Sequence, residues 1–349
     1  MSFSVSSRRS GDYRWALAGL LTVSGKLVTS RERFHRTMAG QDVDRPPLWG
    51  EGLRREVREG WATQGYPLNR DPEKDFAIER REQVQPDILH REYDLTGGDF
   101  DDPQLDLQPD DPHRYPDDWS QMAGEFRIRD YVVGLRVSRG LFQTLGVRGW
   151  DSLSQLLYRV ADDPDGVARY MLKAAKFALE VLQRALDEVQ PDYILFSEPI
   201  ASNAAPVVGP ATFRGACAGA YAHIIQQARR CGVRWAIFES YGHVGPILTE
   251  AMAMGMDAYW GRDTVLGSVP YRSLRKRFGH RLALIGGIDV GLLQADIRTA
   301  ADEMRRIIPP LVKSGRYIPL LDGRVRSYMR YKNYAHYRRT LVSLVEQTR

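Results

Sequence analysis

Four apolar runs in this chain each end in a carboxylate, and that grammar restricts the folds open to it. The fullest run is Arg234-Trp-Ala-Ile-Phe-Glu-Ser-Tyr-Gly-His243. Up to Phe238 it is apolar, aromatic or small, as a strand covered on both faces should be. With a period of two, Trp235, Ile237, Glu239 and Tyr241 share one face, and Ala236, Phe238 and Ser240 share the other. The runs at 192–198, 281–289 and 315–322 repeat the pattern and end in Glu198, Asp289 and Asp322. Helical patterns lie between and after them, at 164–189, 210–231, 244–254, 297–314 and 331–346. Strands alternating with helices predict a parallel sheet. Acids at strand ends predict one shared mouth, because a parallel α/β barrel carries its chemistry on the loops that follow its strands.

The expected fold is a single (β/α)8 TIM barrel over 30–349. A helical extension at 1–29 precedes it, and an irregular insertion near 96–120, rich in Asp, Pro and Gly, interrupts it. Such a barrel takes about 250 residues or more, so 349 residues suffice. A first strand is expected at 45–50, a weak one at 87–94 and another at 130–138. With 43% apolar residues the chain has the material for a large core. Its charge, +5 from 49 basic and 44 acidic residues, is dispersed. No basic stripe points to nucleic acid. No run approaches the roughly 20 apolar residues that span a bilayer. Residues 1–29 read as an extension that docks on the barrel rather than a signal peptide, since no small-residue cleavage site follows the apolar stretch. Two cysteines, Cys217 and Cys231, fall on one long helical pattern and fit a reducing, cytoplasmic setting.

The strand-end residues are the candidates for chemistry. Glu239 and Tyr241 are expected as an acid–base pair, with Glu198 as a second carboxylate; the alternative for each acid is a structural ion pair. Asp289 follows Gly286-Gly287, where absent side chains let a ligand approach the backbone; otherwise it caps the next helix. His243 is read as a hydrogen-bonding residue of the mouth rather than a metal ligand. Arg54, Arg55, Arg139 and Arg324 each follow a predicted strand. A guanidinium grips a carboxylate through two parallel N–H bonds, so such a cluster suits a small anionic substrate. Arg262 is expected to pair with Asp263.

Five segments, in order, resemble the uroporphyrinogen decarboxylase superfamily: RERFHRTMAGQDVDRPPLWGEG (31–52), ADDPDGVARYML (161–172), RFGHRLALIGGIDVGLL (277–293), GRYIPLLDG (315–323) and YKNYAHY (331–337). The resemblance implies a (β/α)8 barrel and one of two chemistries. One branch decarboxylates a tetrapyrrole without a cofactor, in porphyrin biosynthesis. Arginines of the first loop hold substrate carboxylates there, which Arg54 and Arg55 match, and an aspartate gathers pyrrole N–H groups, for which Asp94 is nearest. The other branch transfers methyl groups with a zinc-activated thiol and often a corrinoid protein as partner. Its zinc motif, His-x-Cys after the fifth strand and Cys after the eighth, meets Glu239, Tyr241 and Gly323 here. The expectation is therefore a cofactor-free, metal-free carboxy-lyase acting on a carboxylated, porphyrinogen-like substrate. The alternatives are a methyltransferase or demethylase with replaced zinc ligands, corrinoid- or thiol-linked, and a non-catalytic barrel that binds tetrapyrrole or corrinoid. A homodimer is among the assemblies expected.

Overall fold

The computed structural model describes residues 28–89, 108–262 and 270–348. Residues 1–27, Asp94 and the 96–107 part of the insertion lie outside the described residues. Seven strands form one all-parallel sheet in sequence order: β1 (Arg81–Val84), β2 (Val132–Ser138), β3 (Tyr193–Glu198), β4 (Trp235–Tyr241), β5 (Ala258–Arg262), β6 (Ala283–Ile288) and β7 (Tyr317–Leu321). The helices are α1 (Ser30–Ala39), α2 (Arg55–Ala62), α3 (Pro72–Asp75), α4 (Trp119–Arg127), α5 (Leu141–Thr144), α6 (Trp150–Asp162), α7 (Pro164–Val189), α8 (Pro210–Arg230), α9 (Leu248–Ala253), α10 (Tyr271–Phe278), α11 (Ile297–Lys313) and α12 (Tyr331–Gln347). Among the described residues no helix is long and apolar enough to cross a membrane.

Eight strands were expected and seven are present among the described residues. The stretch at 45–50 contributes only an isolated parallel bridge, Trp49 to Glu79. Pro46 and Pro47 have no N–H to give to a ladder, which accounts for the truncation. The second strand lies at Arg81–Val84, upstream of the 87–94 stretch expected to form it. Its inward residues, Arg81 and Gln83, are polar, so the apolar alternation that marks a strand is missing.

The strands sort their residues by parity. Val133, Leu135, Val137, Ile194, Phe196, Ala236 and Phe238 face outward into the core beneath α7 and α8. Val132, Tyr193, Leu195, Ile237, Ala258, Trp260, Ile285 and Ile318 face the opposite way, into a second buried cluster with Trp49. Trp49, beside β1, reaches Trp260 of β5 with ring centroids 5.8 Å apart, so the sheet is curled around an interior. Phe34 and Met38 of α1 enter the same cluster and close the end where the strands begin. That helix is capped by Thr29, whose hydroxyl accepts from the Glu32 N–H at 3.1 Å, and stopped by Gly40 at φ 69°.

Two buried carboxylates fix the frame. Asp192, just before β3, accepts from Arg31 (2.6 Å), Arg129 (3.1 Å) and the Val133 N–H (2.8 Å), and meets His35 Nε2 at 2.9 Å. Glu51 accepts from the hydroxyls of Tyr334 and Tyr337, each at 2.7 Å, which ties the loop after Trp49 to α12. The tyrosines of the 331–337 segment therefore serve the frame.

Candidate active site

The inward residue near the end of most strands is only half-buried: Gln83, Arg136, Ser197, Tyr241 and Arg262. Their outward neighbours Val84, Val137, Glu198, Ser240 and Gly261 are buried. The curled sheet thus opens into a hollow at the end where its strands finish, the end that carries chemistry in parallel barrels.

Glu239 sits in this hollow, 4% exposed. Register places it between Ser197 and Trp260. The Ser197 hydroxyl donates to one carboxylate oxygen at 3.0 Å, and Arg262 Nε lies 3.6 Å from the other. Asp263, the partner expected for Arg262, lies outside the described residues. Below, the Arg81 guanidinium lies between two indoles, 4.9 Å from the Trp49 centroid and 4.7 Å from Trp260, while Arg262 lies 5.3 Å from Trp260 on its own strand. Arg136 has no ion-pair partner among the described residues.

Tyr193 organises the floor. Its hydroxyl accepts from Arg81 Nη1 at 3.1 Å and donates to Gln83 Oε1 at 3.0 Å. To do so the ring crosses β2 over Gly134, where an added Cβ would lie 2.2 Å from Tyr193 Cζ. Gly134→Ala must displace that ring. Overpacking of this kind costs about 1–3 kcal/mol, and the expected outcome is a matching fall in the midpoint of urea unfolding.

Among the described residues, Arg81 Nε, Gln83 Nε2, Arg136 Nε and Trp260 Nε1 around the hollow, and Trp49 Nε1 below it, are buried without a hydrogen-bond partner. All of them are donors. Buried donors normally have partners, so the lining is built for an acceptor.

The structure separates the other sequence candidates. Tyr241 is at the inward end of β4, two residues above Glu239, and registers with Arg262. His243 lies on the following loop, its N–H donating to Ser202 O at 2.8 Å. Gly242 makes that approach feasible: a Cβ there would be 2.3 Å from Ser202 O. Arg54 and Arg55 start α2; Arg54 lies 3.7 Å from Glu56, and Arg55, with its side chain 91% exposed, pairs with Glu59. Asp289 accepts from the Gly291 N–H at 2.7 Å and caps a short 3-10 turn. The space beside Gly286 and Gly287 is filled by Tyr271 of α10. Arg324 is exposed after β7. Arg139 points into a narrow slot between β2, α7 and α8.

Glu198 faces away from the hollow. It is fully buried, accepts from the Leu141 N–H at 3.0 Å and from the Tyr221 hydroxyl of α8. Burial raises its carboxyl to about 7, against the lowering effect of Tyr221 and Leu141. The folded-state value lies above the ordinary one near 4.5, so the folded chain binds this proton more tightly. The resulting stability is complete below about pH 4.5 and is lost as pH rises to about 7. Glu198→Gln is expected to remove this slope, an effect on the order of a few kcal/mol, read as the difference in unfolding free energy between pH 5 and pH 8.

Zinc does not fit the mouth. Among the described residues no group of three His, Cys, Asp or Glu converges to hold an ion, and the carboxylate, phenol and glycine at the motif positions do not form a tetrahedral thiolate–imidazole set.

No family model matches the chain, and no curated protein does. Among solved structures it is similar to a methyltransferase from Methanosarcina mazei, with a TM-score of 0.55 and 14% sequence identity over 92% of this chain and 99% of that one. The likeness reaches across nearly all of both chains and shows a shared fold.

Proposed function

We propose that this chain is a methyl-transfer enzyme acting on a small anionic substrate in the hollow above Trp260. The observation that carries the reading is Glu239, a carboxylate at an inward strand end among Ser197, Arg262 and unpaired cationic donors. The fold-level likeness to a methyltransferase supports transfer over the decarboxylation that the sequence resemblance put first. A corrinoid protein or a free thiol is the acceptor class that the resemblance implies.

In such a transfer the acceptor's lone pair forms the new bond to the methyl carbon, and the donor heteroatom keeps the old bonding pair. Methylating an X–H group releases a proton, and demethylating a heteroatom returns one. Glu239 is the group placed to accept or return it. Arg136 holds the substrate's anionic group, and Trp260 walls the reacting centre from water. Zinc has no part in these steps.

The test is a panel of methylated and unmethylated carboxylates incubated with the purified chain, with either a thiol or a reduced corrinoid as acceptor. Mass spectrometry should show one CH2 lost by the donor and gained by the acceptor. Carbon dioxide release from a carboxylated substrate without methyl movement would overturn the reading.

A further inference from the structure

The donors on β1 and β2 form one patch. Arg81 registers with Val132 and Gln83 with Gly134, two residues before Arg136. The space over Gly134 holds the Tyr193 ring, whose hydroxyl reaches both Arg81 and Gln83. The Tyr193 hydroxyl donates to Gln83 Oε1, which fixes the amide and turns its Nε2 away as a free donor. The patch thus offers three unpartnered donors, Arg81 Nε, Gln83 Nε2 and Arg136 Nε.

Charge bookkeeping then sets the ligand class. Arg262 has Glu239 at 3.6 Å. Asp322, past β7, accepts from the Val290 N–H at 3.1 Å. Neither Arg81 nor Arg136 has a carboxylate within ion-pair distance among the described residues. Two half-buried guanidinium groups without counter-charges are costly unless a ligand supplies them. Resting on the anion-binding reading above, we infer that the hollow takes a dianion, its two negative charges met by Arg81 and Arg136 with Gln83 between them. The shared chemistry is that of a short dicarboxylate or a phosphoryl group.

Titration calorimetry on the full chain, with succinate, inorganic phosphate and butyrate as probes, tests this. Succinate or phosphate should bind at least about tenfold tighter than butyrate, as expected for one additional charge-assisted contact. Succinate alone would identify a dicarboxylate, and phosphate alone a phosphoryl group. Arg136→Gln should abolish the preference. Gln83→Leu, which removes no charge, should weaken the dianion several-fold, and guards against a misfolded arginine variant. Equal binding of all three probes, or a preference unchanged in both variants, overturns the inference. Dianion binding without methyl movement refutes only the proposed chemistry. Failure of every probe refutes the anion site itself.

Discussion

Glu239→Gln should reduce methyl transfer by about two to four orders of magnitude, the range for loss of a positioned acid or base, while leaving the fold intact. Glutamine has nearly the same shape. Its carbonyl oxygen can still accept from Ser197 Oγ, which donates to Glu239 at 3.0 Å. The charge is lost, and with it the capacity to take a proton. The stability effect should be small, because the Arg262 contact is long at 3.6 Å and Arg262 retains solvent access. Steady-state kinetics beside a thermal melt separates the two effects. Arg136→Gln should instead raise KM, since its guanidinium helps to hold the anion. A Glu239→Gln chain with undiminished turnover would leave the hollow without its proposed proton carrier.

Most of the frame was legible in the sequence. The strands that end at Glu198, Tyr241, Ile288 and Leu321 follow from apolar runs that lead into acids, and the helices between them follow from spacing. What could not be read is which face of such a strand looks inward. Tyr193–Glu198 is apolar on both faces, so nothing in its composition separates Ser197, in the hollow, from Glu198, under α8. Arg81 and Gln83 escaped because a strand with a polar inner face looks like a loop. Arg136 did leave a signal. In Val132–Ser138 the residues Val133, Leu135 and Val137 alternate with Gly134 and Arg136, and a glycine and an arginine sharing one face of a buried strand mark a close approach and a charge. The family-like opening segment carried structural information instead: Arg33 grips Asp44 at 2.8 Å and Glu79 at 2.6 Å, and Arg45 meets Glu79 at 2.8 Å.

The largest stability effect is expected at the opposite end of the sheet, from Asp192→Ala. Arg129, whose side chain is 1% exposed, would keep its carbonyl partners Val189 and Gln190 but lose its only carboxylate among the described residues. The Val133 N–H would lose its acceptor, and His35 and Arg31 would lose theirs. Removing one partner of a buried pair costs about 3–5 kcal/mol, against a total stability of about 5–15 kcal/mol. The melting temperature should fall by roughly 4–7 °C. Asp192→Asn keeps an acceptor for Val133 and should cost less.

The pH dependence distinguishes the charge from the shape. Burial raises the Asp192 carboxyl, but His35, Arg129, the Val133 N–H and Arg31 outweigh it and hold it at about 2. A depressed carboxyl contributes its stability above its unfolded value of about 3.9 and loses it as pH falls toward 2. The acid limb of wild-type unfolding should therefore steepen below about pH 4, and that steepening should be absent in Asp192→Asn. Glu198 acts with the opposite sign between about 4.5 and 7. The two carboxylates thus pull the pH of greatest stability to between about 4 and 5, and replacing either one should move it in a known direction: upward for Glu198→Gln, downward for Asp192→Asn. Parallel pH profiles for wild type and both variants would show that neither carboxylate has the environment assigned to it.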